Sequence, residues 1–334
     1  MRSESGKWIA VSAAVLLASF LTVSAAAFAQ KSDASSNAEI SAAEAWAFPQ
    51  FPPLAALQAP SPHPQRLVHM AGSTRIYTQA QLDAGALDWF PQDHPAMPEI
   101  ILHDHKPARH CAECHMVNGT GVPATAQLMG LPKAYILEQF AAFRAGQRGA
   151  SGPRTTQDMA KEARDVSDAD LRLAADYFST VKFVPHTRVI ETASVPKTRW
   201  KYLVQVPDTS GAREPIGERI VETPVNFEDY QYRNDRAKYV AYVPPGGIAR
   251  GAVIAAKGVR AAPACESCHG ANLQGVGIIP PLAGRSPTYI VRELILFRTG
   301  KRSNPQAAPM RLEASQLSIN DMVAVAAYAA SRKP

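Results

Sequence analysis

The chain is 334 residues long, with 35 Lys and Arg against 29 Asp and Glu and a formal net charge of +6. That length suits two domains with some connecting material. The basic excess is not gathered into any long run, which excludes the footprint of a nucleic-acid binder and leaves ordinary solubility or docking to an acidic partner.

At the N-terminus Arg2 and Lys7 precede an apolar run from Ile9 to Val23, and Ala27-Phe28-Ala29 has the small-x-small form of a cleavage site. The pattern predicts a secretory signal peptide over 1–29 rather than an anchor, because the apolar run is shorter than the ~20 residues a spanning helix needs. No later segment is long and apolar enough to span. The mature protein is expected to be exported, in a bacterium to the periplasm, with no spanning helix after cleavage. Residues 30–95 are an N-terminal extension. To about residue 65 it is rich in Ala, Ser, Gln and Pro and reads as an extended, partly disordered arm wrapping the unit that follows. From 66 to 95 it reads as ordered and packed on that unit, with Trp89 and Phe90 as anchors.

Four histidines, His94, His103, His105 and His110, then lead into Cys111-Ala-Glu-Cys114-His115. The same cassette recurs 154 residues later as Cys265-Glu-Ser-Cys268-His269, and no cysteine lies outside the two copies. Cys-x-x-Cys-His is the attachment signature of c-type haem. Two thiols add to the vinyl groups on one edge of the porphyrin, and the next residue carries its imidazole beneath the ring to the iron. A disulfide framework or a thioredoxin-like site does not need that histidine. A zinc knuckle or a chance match would not be spelled twice with matching sequence behind each copy. Two covalently bound haem c groups are therefore expected. The four upstream histidines show no fixed metal-ligand spacing and read as solvent-facing or haem-edge residues. The alternatives are that one of them ligates the first iron or that several bind a metal.

From Cys111 to Arg148 the first unit aligns without gaps on Cys265 to Arg302. Gly130 matches Gly284, Tyr135 matches Tyr289, and Gly146 and Arg148 match Gly300 and Arg302. Ile136, Phe140 and Phe143 mark one helical face, as do Ile290, Leu294 and Phe297. Gly146 and Gly300 then stand where a helix should stop. After a three-residue difference, Ser167 with Asp170 and Ser318 with Asp321 form capping-box patterns, so each unit is predicted to close with an amphipathic helix. Between the units, residues 182–245 alternate in β fashion over 199–207, 217–224 and 237–245, separated by prolines and Asp208-Thr-Ser-Gly-Ala. A small β-containing connector is expected there.

These residues resemble the class I cytochromes c, and specifically dihaem proteins of two fused units, over about 95–181 and 246–331. The resemblance implies a mainly α fold: cytochrome c domains at 96–181 and 246–334, joined by the connector at 182–245. It implies that Cys111, Cys114, Cys265 and Cys268 form the thioethers and that His115 and His269 bind iron. It places the sixth ligand between the Tyr-bearing helix and the final capping box, where Met159 and Met310 are each the only methionine. They lie 44 and 41 residues after their histidines, the same three-residue difference. Met116, Met129 and Met322 are left as core or haem-contact residues. Pro280 resembles the family's proline, whose carbonyl orients the histidine, and Gly251 resembles the position where the first helix approaches the last near Tyr328. The first unit departs from this pattern. Ala126 stands for Pro280, which leaves the partner of His115 open, and Met97 stands for Gly251, which predicts a short or differently packed first helix.

Imidazole and thioether together fill both axial positions and favour reduced iron, the setting of an electron carrier. The expected function is therefore one-electron transfer between exported redox partners, such as a dehydrogenase and a terminal oxidase or reductase, with no catalytic residues. The alternative is a dihaem oxidoreductase, peroxidase-like or a dehydrogenase's cytochrome subunit, with one labile axial site.

Overall fold

A computed structural model describes residues 37–50, 61–85 and 87–334. The expected signal peptide lies outside them. Among the described residues no helix is long and apolar enough to cross a membrane.

Residues 37–47 are helical, where an extended arm was expected. The Ala-rich sequence has the stronger propensity here. The end of this helix meets more than the first unit: Arg292, deep in the second, donates to the carbonyls of both Ala47 and Pro123. The ordered extension forms a hairpin, β1 (Leu67–His69) and β2 (Ile76–Thr78), leading into α1 (Gln79–Ala84) through a Thr78–Gln81 capping box. Trp89 and Phe90 are each 1% exposed in a small core with Val68, Met70, Leu82 and Leu87. Both were expected to anchor the extension on the first unit, but their polar partners lie in residues 182–245. Trp89 Nε1 donates to the Tyr232 carbonyl at 2.6 Å, and the Arg236 guanidinium sits 3.7 Å from the Phe90 ring centre.

The first repeat comprises α2 (Glu99–Leu102), α3 (Ala112–His115), α4 (Lys133–Arg144), α5 (Arg154–Asp165) and α6 (Asp168–Thr180). Pro95 and Pro98 confine α2 to four residues, because proline cannot continue a helix N-terminally without losing a hydrogen bond. Ile100 and Ile101 still bury completely, in one core with Ala174, Ala175 and Phe178 of α6.

Seven short strands follow: β3 (Thr187–Glu191), β4 (Ser194–Pro196), β5 (Thr198–Lys201), β6 (Val204–Pro207), β7 (Arg213–Pro215), β8 (Val221–Pro224) and β9 (Tyr239–Val243), with α7 (Phe227–Gln231) before the last. β9 pairs in parallel with β3 and antiparallel with β8. β5 and β6 form a hairpin, and β4 pairs with β7. The alternating runs hold β5, β6, β8 and β9. β4 and β7 are three residues each, and β3, though as long as β9, lies outside those runs; all three depend on their partners.

The second repeat comprises α8 (Gly247–Lys257), α9 (Glu266–His269), α10 (Pro287–Arg298), α11 (Ala308–Gln316) and α12 (Ile319–Ser331). A side chain at Gly251 would bring its Cβ within 2.0 Å of the Ala324 carbonyl, so α8 and α12 approach backbone to backbone. The chain leaves α4 and α10 through Gly146 and Gly300, both left-handed with φ of 68°. Ser167 and Ser318 cap α6 and α12 by accepting from Asp170 N–H and Asp321 N–H. The repeats also match in the loop before the long helix. Gly130 N–H donates to Phe178 and Gly284 N–H to Ala329, each at 2.9 Å.

Candidate functional site

Each cassette is a single helical turn, α3 or α9, with its first cysteine at the N-cap. Residues three apart share a helix face, so this turn places both thiols on one side. All four cysteines are free. Burial pushes the thiol of Cys111 up to about 12 and those of Cys114 and Cys265 up to about 11.

Behind each turn the chain doubles back, with Gly121 N–H donating to His115 O and Gly275 N–H to His269 O. The returning loop then brings a carbonyl to the imidazole. His115 Nδ1 lies 2.8 Å from Ala126 O, and His269 Nδ1 lies 2.9 Å from Pro280 O. The open question at Ala126 is thereby answered. The orienting atom is main chain, so alanine serves as well as proline. Nδ1 must be the protonated nitrogen to donate there, which leaves Nε2 with its lone pair, as a metal ligand requires. Burial lowers the pKa of both imidazoles, with the carbonyl bonds opposing, and so favours the neutral form that can ligate.

All eight expected site residues, Cys111, Cys114, His115, Met159, Cys265, Cys268, His269 and Met310, line one continuous cavity of about 1480 Å³. A pocket for one small molecule runs to roughly 300–1,000 Å³, so there is room here for more than one such group. Met159 lies on α5, packed with Phe143, Ala160 and Ala163, and Met310 lies on α11. Each therefore belongs to the helix before the closing helix, an element whose helicity the sequence reading did not foresee. Met129 and Met322 are core residues; Met116 packs with Val122 and Ala124 at the cavity wall.

Three of the four upstream histidines lie away from the cavity. His94 Nε2 is 3.2 Å from Asp88, His105 Nδ1 is 2.9 Å from Asp170, and His103 lies beside Glu99 at the surface. His110 lines the cavity with Nδ1 2.7 Å from Asp104, and its buried Nε2 has no protein partner. Among the described residues no cluster of three His, Cys, Asp or Glu could hold a metal ion.

The cavity floor carries a polar network that sequence reasoning aligned but gave no role. Arg148 and Arg302, equivalent in the repeat, lie beside each other on antiparallel backbone. Arg148 donates to Gln139 at 2.9 Å, Glu293 at 2.9 Å and Tyr289 at 3.2 Å. Arg302 donates to Glu293 at 2.5 Å, Gln139 at 2.7 Å and Tyr135 at 3.0 Å. Burial alone would raise the Glu293 pKa, but the two guanidiniums more than reverse that and bring it to about 2. Two guanidiniums thus share one carboxylate, because Glu293 is matched in the first repeat by Gln139. Arg285 and Arg292 donate only to carbonyls, and burial pushes both down to about 10. Nε of Arg148 and Arg302 and Nη2 of Arg292 are buried with no acceptor in the protein. A cavity that offers paired thiols, aimed imidazoles, thioethers and surplus buried cations fits haem c, whose propionates are anionic.

The family model described as Cytochrome c matches residues 106–182 and 248–333. Cytochrome c-552 of Acidithiobacillus ferridurans is 38% identical over 223 residues, covering 66% of this chain and 73% of that protein. Cytochrome c4 of Azotobacter vinelandii is 26% identical over 225 residues, covering 65% and 82%. Among solved structures, reduced recombinant cytochrome c4 from Pseudomonas stutzeri aligns with a TM-score of 0.45 at 23% identity, covering 67% of this chain and 93% of that one.

Proposed function

The chain belongs to the cytochrome c family as a dihaem class I member, and we propose that Cys111 and Cys114 would hold one haem c, with His115 and Met159 to its iron, and Cys265 and Cys268 the other, with His269 and Met310. The protein is an electron-transfer cytochrome with two covalently bound haem c groups, and its partners are redox proteins. In our reading it works in the periplasm between an exported dehydrogenase and a terminal oxidase or reductase. Residues 96–181 and 246–334 are the two haem domains, and 182–245 joins them.

The observation that carries this reading is the repeated donor set on one cavity: each imidazole is fixed through Nδ1 by a carbonyl eleven residues on. Haem bound there would supply a one-electron couple, and imidazole and thioether ligands would favour its reduced iron. The chain's own residues do the rest. α3 and α9 present the thiols, Ala126 and Pro280 hold the imidazoles, and α5 and α11 bring Met159 and Met310 to the cavity. Arg148, Arg302, Arg285 and Arg292 supply buried positive charge for the propionates.

Mass spectrometry of the purified mature protein with a spectroscopic redox titration tests this reading. Two covalent haems and one electron per haem are expected. The alternative, a dihaem oxidoreductase with a labile axial position, requires one high-spin haem and peroxide turnover in the same preparation.

A further inference from the structure

The two cassettes match in sequence but not in surroundings. Residues 116–124, which follow the first cassette, are all buried, whereas of their counterparts 270–278 only Leu273 is. Val122 is 4% exposed and its equivalent Val276 is 58% exposed; Ala124 is 5% exposed and Ile278 is 47% exposed. The cover over the first cassette comes from 182–245. Leu203 and Tyr230 pack on Met116, Val122 and Ala124. Arg233 donates to the carbonyls of Ala112 at 2.7 Å and Glu113 at 2.5 Å, on the turn that carries the thiols. Asn118 reaches the Asp235 carbonyl at 3.4 Å. Among the described residues nothing equivalent lies over the second cassette.

Charge divides the same way. Leaving out buried side chains, residues 246–334 hold eight Lys and Arg against three Asp and Glu, and residues 96–181 hold eight against ten. Lys257 and Arg260, both exposed, lead into the second cassette. Lys333, also exposed, has its carbonyl bonded to Gln274 of the open loop. An apolar centre with a basic surround is complementary to an acidic protein face.

Resting on the electron-carrier reading above, we propose that the open edge at Val276 and Ile278 is the docking face for an acidic one-electron redox protein, and that residues 182–245 close the first cassette to such partners. One electron crosses at this face per encounter. The partner's centre is oxidised as the second site is reduced, or the reverse, and no bond or proton is exchanged. The first site then communicates with the outside through the second.

The haem-loaded mature protein, adsorbed on gold coated with a carboxylate-terminated alkanethiol film, tests this by voltammetry. The unaltered protein should exchange electrons rapidly on that film, more slowly as salt rises, and poorly on an amine-terminated film. Val276→Asp with Ile278→Asp should lower the interfacial rate about tenfold or more. Leu173→Asp, at an exposed position of the first repeat, should leave it unchanged. Val276→Ser with Ile278→Ser gives a milder second variant, and a count of two covalent haems qualifies each preparation. Equal rates on both films, no loss in the Val276 and Ile278 variants, or a matching loss in Leu173→Asp would overturn the proposal. If the unaltered protein takes up two electrons per chain in solution yet shows no film preference, the docking face is wrong and the carrier reading stands. If it takes up none, the carrier reading fails and the docking face with it.

Discussion

The position of Met159 and Met310 on the cavity wall makes the sharpest residue-scale prediction. Met159→Ala or Met310→Ala should abolish the iron–methionine absorption of one haem and lower the potential of that haem alone, because thioether ligation favours reduced iron. An unchanged oxidised spectrum in Met159→Ala would remove it as a ligand. His110, with its buried Nε2 on the same wall, would then be the residue to replace next. A second prediction concerns Asp235, which is 1% exposed and has no partner for either oxygen. Burial pushes its carboxyl up to about 7 from an ordinary 3.8, with Asp93 and Asp88 adding to the effect. The folded state therefore holds its proton longer than the unfolded chain does, and stability declines as pH rises from about 4 through 7. Asp235→Asn should raise the melting temperature at about pH 8 and change it little at about pH 4, a contrast that calorimetry at the two values reads directly.

Among the elements, the α8–α12 contact is the most exacting. Gly251→Ala places a Cβ against the Ala324 carbonyl and the Tyr328 Cβ, and should destabilise the second repeat by about 1–3 kcal/mol or more in denaturant titration. The first repeat has Met97 at this position and a four-residue helix, so its haem spectrum should be unaffected. The N-terminus of α12 gives a pH prediction of opposite sign. Asp321 caps the helix with Ser318 and pairs with Arg250 and Arg260 while its side chain is fully buried. Burial by itself would raise its pKa, but these partners hold it well below the ordinary 3.8. Its stabilisation is present above about pH 4 and is lost as pH falls through the lowered value. Asp321→Asn should cost about 3 kcal/mol at neutral pH, with the gap to the unaltered protein closing in acid. The capped termini of α6 and α12 and the glycine stops after α4 and α10 were legible in the sequence because caps and stops are local chemistry. The helices carrying Met159 and Met310 were not. α5 is amphipathic, but only Met159, Ala160 and Ala163 make up its small apolar side, and α11 is short with little separation of its faces.

Over the whole molecule, the repeats are bound by Arg148 and Arg302 sharing Glu293. Glu293→Gln leaves two buried guanidiniums without their carboxylate and should lower stability by about 3–5 kcal/mol, measured as a shift in the denaturation midpoint. An unchanged midpoint would show that other anions, such as propionates, carry the compensation. The bonds of this network join residues up to 167 apart in sequence, and no pattern within a window of the chain announces them. The repeat alignment contained the signal, since Tyr135, Arg148, Tyr289 and Arg302 stand in register. What it lacked was the geometry that turns equivalence into contact.

By itself the sequence determined the kind of cofactor, covalently bound haem c, together with the repeat and the stops and caps of its helices. Thioether spacing, capping and helical period act over a few residues, so they are written in order along the chain. Only the tertiary structure decided that Ala126 can orient His115, that both repeats share one cavity, and that the first cassette is covered while the second is open. Those outcomes depend on backbone atoms of any residue type and on contacts such as Arg233 to Ala112, 121 residues apart. Distances of that kind are set by how the chain packs, and two cassettes of the same spelling can receive different surroundings.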